Sequence, residues 1–125
     1  MGWNIGVSEG EKIVHAVISG EVTMEHARQM ASEGLEMAGR HGVSRFLADV
    51  RAVNSQISTV QIYLLPKVLE VLGLARDSRV ALVTAKDPEQ ENDFRFCQTV
   101  AGNQGFAIGL FYEPDQARQW LLDGT

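Results

Sequence analysis

Two short stretches of this chain carry side chains whose types and spacing could do chemistry. The first is the apolar run Phe46-Leu47-Ala48-Asp49-Val50, which ends in an acid and then a base, Asp49 and Arg51. In an extended strand, residues two apart point to the same side, so the pair could grip a ligand or a protein partner. The plainer reading is a surface ion pair of little energetic consequence. The second stretch is Ser58-Thr59-Val60-Gln61, which has the pattern of a helix start. Ser58 at the N-cap accepts a backbone N–H, and Gln61 three residues on reaches back in the capping-box manner. A phosphate on Ser58 or Thr59 would gain from the orphan N–H groups and the helix dipole, and could switch a partner surface. Against this stands a simple cap, worth on the order of 1 kcal/mol.

Other candidates give way to structural roles. His15 and Asp49 resemble an acid–base pair, but parallel neighbouring strands would place one near a strand start and the other near a strand end. His26 and His41 have no ligand spacing with a carboxylate. Cys97 falls on an apolar helical stripe with Phe94 and Ala101, which makes it a packed thiol rather than a nucleophile. Asp87, Glu89, Glu91 and Asp93 are acids at a helix start, where the dipole favours them, and their spacing is not that of a calcium loop. Gly102, Gly105 and Gly109 precede a strand instead of following one, so they do not form a phosphate loop. The expectation is a chain with no catalytic, cofactor-binding or metal-binding residues.

The elements that must position these groups follow from the rest of the sequence. With 125 residues, the chain is expected to form one domain over 1–125, large enough to fold without disulfides or metal. A formal net charge of −5 speaks against nucleic acid, which calls for a basic footprint. A single cysteine excludes an intrachain disulfide, so a reducing, cytoplasmic setting is expected. The N-terminal residues lack a signal-peptide pattern, and Gly6 stands where a myristoylation motif has Ser or Thr. No apolar run reaches the roughly 20 residues of a membrane helix.

Residues 3–7 and 13–18 read as strands joined by the polar turn Ser8-Glu9-Gly10-Glu11, a hairpin signal. Gly20 is expected to break the second strand, and Thr23 to cap a helix reaching about Ala38. After the strand at 46–50, Asn54-Ser55-Gln56 reads as a polar connection. A second helix follows, with Leu65, Val68, Leu69 and Leu72 inward. Pro66 either kinks that helix or opens it after a separate turn. Arg79–Thr84 is a strand; Asp87 and Pro88 open a third helix ending near Gly102; residues 106–111 form the last strand; Pro114 to Leu122 is a final amphipathic helix. The order β-β-α-β-α-β-α-β-α predicts an α/β fold with a mostly parallel sheet, right-handed crossovers and one antiparallel hairpin.

This pattern resembles the SpoIIAA-like group of the STAS superfamily. The likeness rests on the N-terminal hairpin, on VISGEVTMEHARQM, on FLADVRAV with Asp49 near its end, and on AIGLFYEPDQARQWLL. It implies a mixed five-stranded sheet with about four helices mainly on one face. It also implies a non-catalytic, regulatory protein-interaction module. Some such domains switch through a serine in an Asp-Ser-Ser-Gly run at the start of the helix after the Asp-bearing strand. Here that run reads Gln56-Ile57-Ser58-Thr59, so Ser58 is the equivalent position and the usual phosphoserine switch is not expected. A related lipid-binding fold, CRAL-TRIO, supports an alternative: a small apolar ligand enclosed by Met24, Met30, Met37 and the apolar second helix. Finally, if helices cover one face only, the apolar strands would expose a patch on the other, and a homodimer with Trp3 as an aromatic anchor would cover it.

Overall fold

The computed structural model describes residues 2–123, and over these the expected single domain is present. The hairpin forms first: β1 (Gly2–Ser8) pairs antiparallel with β2 (Ile13–Val22), and Trp3 lies opposite Ile18. Lys12 takes a left-handed φ of 57° in the turn and donates its N–H to the Ser8 carbonyl at 2.7 Å. Helix α1 (Met24–His41) starts at the Thr23 cap, whose hydroxyl accepts from the His26 N–H while His26 Nδ1 accepts from the Thr23 N–H. It stops at Gly42, whose φ of 64° suits glycine best.

Strand β3 (Arg45–Ser55) runs parallel to β2 and leads to α2 (Thr59–Leu72). Then come β4 (Arg79–Val83), α3 (Pro88–Asn103), β5 (Ala107–Phe111) and α4 (Pro114–Asp123). The sheet order is β1-β2-β3-β4-β5, antiparallel at the hairpin and parallel elsewhere, so the strands at 14–18 and 46–50 are both interior. Each crossover to the next parallel strand carries one helix.

Two sequence expectations change here. Gly20 does not end β2, and of the expected connection Asn54-Ser55-Gln56 only Gln56 lies outside the strand: β2 runs on to Val22 and β3 to Ser55, pairing Gly20 with Val53 and Val22 with Ser55. The inward residues Val22 and Val53 hold this extension to the core, while Glu21 and Asn54 stay in solvent. Nor is Pro66 a helix start. It sits inside one continuous α2, its ring fully buried, with the start fixed upstream by the Ser58 cap. Burial of the ring offsets the hydrogen bond that a proline cannot make.

Helices α1, α2 and α3 lie on one face of the sheet, and α4 packs on the other against β3, β4 and β5. The helices are thus mainly on one face, as the resemblance implies. The second face, however, is not left bare. Ala117 and Leu121, both 0% exposed, seal Ile13, Leu47, Ala81 and Val83, and Trp120 lies 5.6 Å from Phe111, ring to ring. Beyond α4, among the described residues, only Val17 is a large exposed apolar residue on that face. The contiguous patch on which a face-to-face dimer was expected is therefore covered. Trp3 does not border it either: it lies on the α1 side, where its indole N–H donates to Glu33 at 2.9 Å.

Candidate functional site

Asp49 and Arg51 meet as the spacing predicts. The Arg51 Nε–H donates to Asp49 Oδ1 at 3.0 Å and its Nη2 to Oδ2 at 2.7 Å, a two-pronged pair on the α4 side of the sheet. The reason lies in the backbone. Between Val17/Asp49 and Ser19/Ala52 the register slips, so β3 carries one residue more than β2. This β-bulge leaves Val50 and Val53 both inward although they are three apart. Asp49 Oδ1 also accepts the Arg51 backbone N–H at 3.2 Å, which ties the bulge to its own side chain. The hydrogen bond from Arg51 holds the Asp49 carboxyl below its ordinary range, against the opposing effect of burial.

That shift has a sign. A depressed carboxylate contributes stability that is fully present above its unfolded value of about 3.9 and is lost as pH falls through the folded value. Arg51→Ala is expected to raise the Asp49 midpoint to its ordinary value or above, measured by NMR titration of the carboxyl carbon. An unchanged midpoint would show that the pair does not set it.

On the opposite side of the bulge, Gln90 of α3 donates to the carbonyls of Val50 at 3.0 Å and Val53 at 3.2 Å. Its Oε1 accepts the Ala85 N–H at 2.7 Å. One side chain thus links the ends of β3 and β4 to the first turn of α3. In the sequence Gln90 is simply a residue of the helix that Asp87 and Pro88 open. The signal for the bulge was the three-residue spacing of Val50 and Val53, which breaks the strand period.

Past the bulge, the Gln56 N–H donates to the Val22 carbonyl at 2.8 Å, and the chain enters α2. The capping box is complete: Ser58 Oγ accepts from the Gln61 N–H at 3.2 Å and Gln61 Oε1 from the Ser58 N–H at 2.9 Å. Ser58 and Thr59 are exposed. Among the described residues no hydrogen bond or ion pair joins them to Asp49 or Arg51. His15 likewise faces Leu47 in the register, not Asp49. Burial pushes the Cys97 thiol up to about 11, which suits a packed side chain and not a nucleophile. Among the described residues, no group of three or more His, Cys, Asp or Glu could hold a metal ion, and no helix is long and apolar enough to cross a membrane.

What sequence reasoning missed is the outer side of α2. Ile62 and Pro66 are buried and Leu65 and Leu69 pack inward, yet Val60, Tyr63, Leu64 and Val71 are 68%, 57%, 48% and 76% exposed. A helix apolar all round is ordinarily buried on every side. Tyr63 and Leu64 also line an open groove of about 750 Å³ between α2 and the α3–β5 turn. Its charged rim is ordered: Glu70 binds Lys67 at 3.1 Å and Arg76 at 2.7 Å, and the Arg76 guanidinium reaches the Gln104 carbonyl. Beneath α2, between the sheet and the three helices, lies a cavity of about 250 Å³ with almost wholly apolar walls, including Met30, Phe46, Val50, Leu65, Leu69 and Phe94.

Hairpin, parallel sheet, bulged Asp-bearing strand and capped second helix together define a single α/β domain with the SpoIIAA-like fold. The chain is similar over 96% of its length, and 93% of the other, to the structure of an uncharacterized DUF3478-family protein with a SpoIIAA-like fold from Shewanella loihica PV-4 (TM-score 0.62, 19% identity). It is similar in the same way to an anti-sigma factor antagonist from Mycobacterium paratuberculosis (TM-score 0.61, 16% identity, 96% and 94% covered). The anti-sigma factor antagonist SpoIIAA in its unphosphorylated form matches over 99% of this chain and 100% of its own (TM-score 0.58, 12% identity). No protein-family model matches the chain, and no curated protein does.

Proposed function

We propose that this chain is a non-catalytic regulatory module that docks a protein partner on the outer face of α2. The observation that carries this is the exposed stripe of Val60, Tyr63 and Leu64 beside an open groove. Such a stripe is costly in water unless it is covered in use, and an aromatic anchor framed by charges is the usual anatomy of a protein contact. The fold shared with anti-sigma factor antagonists supports the class of function. Ser58 and Thr59 form the rim of this surface, while Asp49 and Arg51 keep the bulge that delivers the chain to it. The chain works without a cofactor, a nucleic acid or insertion into a membrane, in the cytoplasm.

Affinity capture with the wild-type chain and with Tyr63→Arg tests the surface. A partner retained by the wild type and lost by the variant, with unchanged circular dichroism, is expected. The same proteins captured by both would refute the docking face.

Within this reading Ser58 is a cap, not a phosphate switch. Ser58→Ala is expected to lose about 1 kcal/mol, whereas Ser58→Asp keeps near wild-type stability, because aspartate caps as well as serine. Denaturant titration of both variants checks the ranking. If Ser58→Asp alone abolished partner binding at intact stability, the phosphate switch would be restored.

The apolar cavity favours a second reading, a domain for a small apolar ligand. Native mass spectrometry separates the two: a lipid or apolar metabolite carried through purification supports the cavity, and protein with no added mass beyond whole multiples of the 13.7 kDa chain supports the docking module.

A further inference from the structure

Strand β1 is an edge of the sheet, and among the described residues no backbone group outside the hairpin bonds to it. Edge strands in soluble proteins are ordinarily blunted by a charge, a proline, a bulge or a covering element. Gly2–Ser8 carries no charged residue and no proline, and its pairing with β2 is unbroken over all seven residues. Beside it, α1 sits astride β1 and β2, and a groove of about 260 Å³ runs between the edge strand and α1, walled by Trp3, Ile5, Glu33, Glu36, Met37 and Arg40.

We infer that this edge pairs with the same edge of a second copy, β1 antiparallel to β1 about a two-fold axis at Ile5. The geometry supports a second copy in three ways. An axis at Ile5 sets Trp3 opposite the partner's Val7 and Gly2 opposite the partner's Ser8, so small and large residues alternate across the seam. With strands about 4.8 Å apart and each α1 centred between its own β1 and β2, the two α1 helices run side by side at roughly 10 Å, which is helix-packing distance. Their charges also match. Helix α1 runs along β1 with Glu33 beside Trp3 and His41 beside Glu9. The two-fold therefore sets the Glu33 end of one helix against the Arg40 end of the other, with Met37 between them. The result is a continuous ten-stranded sheet that uses no residue of the α2 docking face, so it stands or falls independently of that reading.

Light scattering and small-angle scattering from micromolar to millimolar protein test it. The wild type is expected at twice the 13.7 kDa chain mass, with a radius of gyration of roughly 18 Å against roughly 14 Å for a monomer. Arg40→Glu, at an exposed position, is expected to weaken the dimer about tenfold or more by facing acid with acid. Adding Glu33→Arg to it exchanges the two charges and restores dimerisation. Amides in residues 3–7 should gain hydrogen-exchange protection as concentration rises. A monomer throughout, or a dimer indifferent to Arg40→Glu and without added protection in 3–7, would overturn the proposal.

Discussion

Leu121→Ala is expected to remove about 3 kcal/mol of stability, read as a lowered denaturant midpoint at unchanged slope. Leu121 is fully buried, and with Ala117 it is the side chain through which α4 closes the second face of the sheet over Ile13, Leu47, Ala81 and Val83. Truncation removes apolar contact within this cluster and leaves a hole that the surrounding strands, fixed by their ladders, cannot close. The effect is larger than for a peripheral leucine because, among the described residues, α4 is the one helix on that face. A loss under about 1 kcal/mol would mean that the face is sealed some other way.

Gln90→Ala is expected to cost about 2 kcal/mol, because it strands two carbonyls and one N–H that are partly shielded from water. Gln90→Glu separates the contributions. It keeps the acceptor for the Ala85 N–H but loses both donors to the bulge, so it should destabilise nearly as much. Hydrogen exchange should quicken around residues 50–55 and 85 in both variants. If Gln90→Glu proved neutral, the bulge would be holding itself through Asp49 and Arg51 alone. The same loosening would reach α2, whose start hangs from the end of β3, and would weaken partner binding without touching the docking face.

Much of this was legible in residue patterns because the forces involved are local. The Ser8–Glu11 turn marks the hairpin, Ser58 with Gln61 marks a cap, and Asp87 with Pro88 opens a helix; each depends on a few neighbouring residues. The Asp49–Arg51 pair was visible for the same reason. What depends on distant partners was not. Gly20 looks like a strand breaker, yet pairing with Val53 carries β2 through it. Gln90 looks like an ordinary first-turn residue, and its role exists only because the ends of β3 and β4 come within reach. Strands apolar on both faces showed that a face left without helices would expose a patch, but not that the ten residues of α4 would cross to cover it. For α2, the inward Leu65 and Leu69 were legible, whereas the exposure of Val60, Tyr63 and Val71 depends on no other element packing there.

The docking face can be tested most directly by hydrogen–deuterium exchange of the chain alone and with its captured partner. Slowed exchange is expected across residues 56–71, at the start and along the length of α2, with little change in α4. Protection confined to the cavity walls of α1 and β3, or to α4, with the outer turns of α2 exchanging as in the free chain, would contradict it.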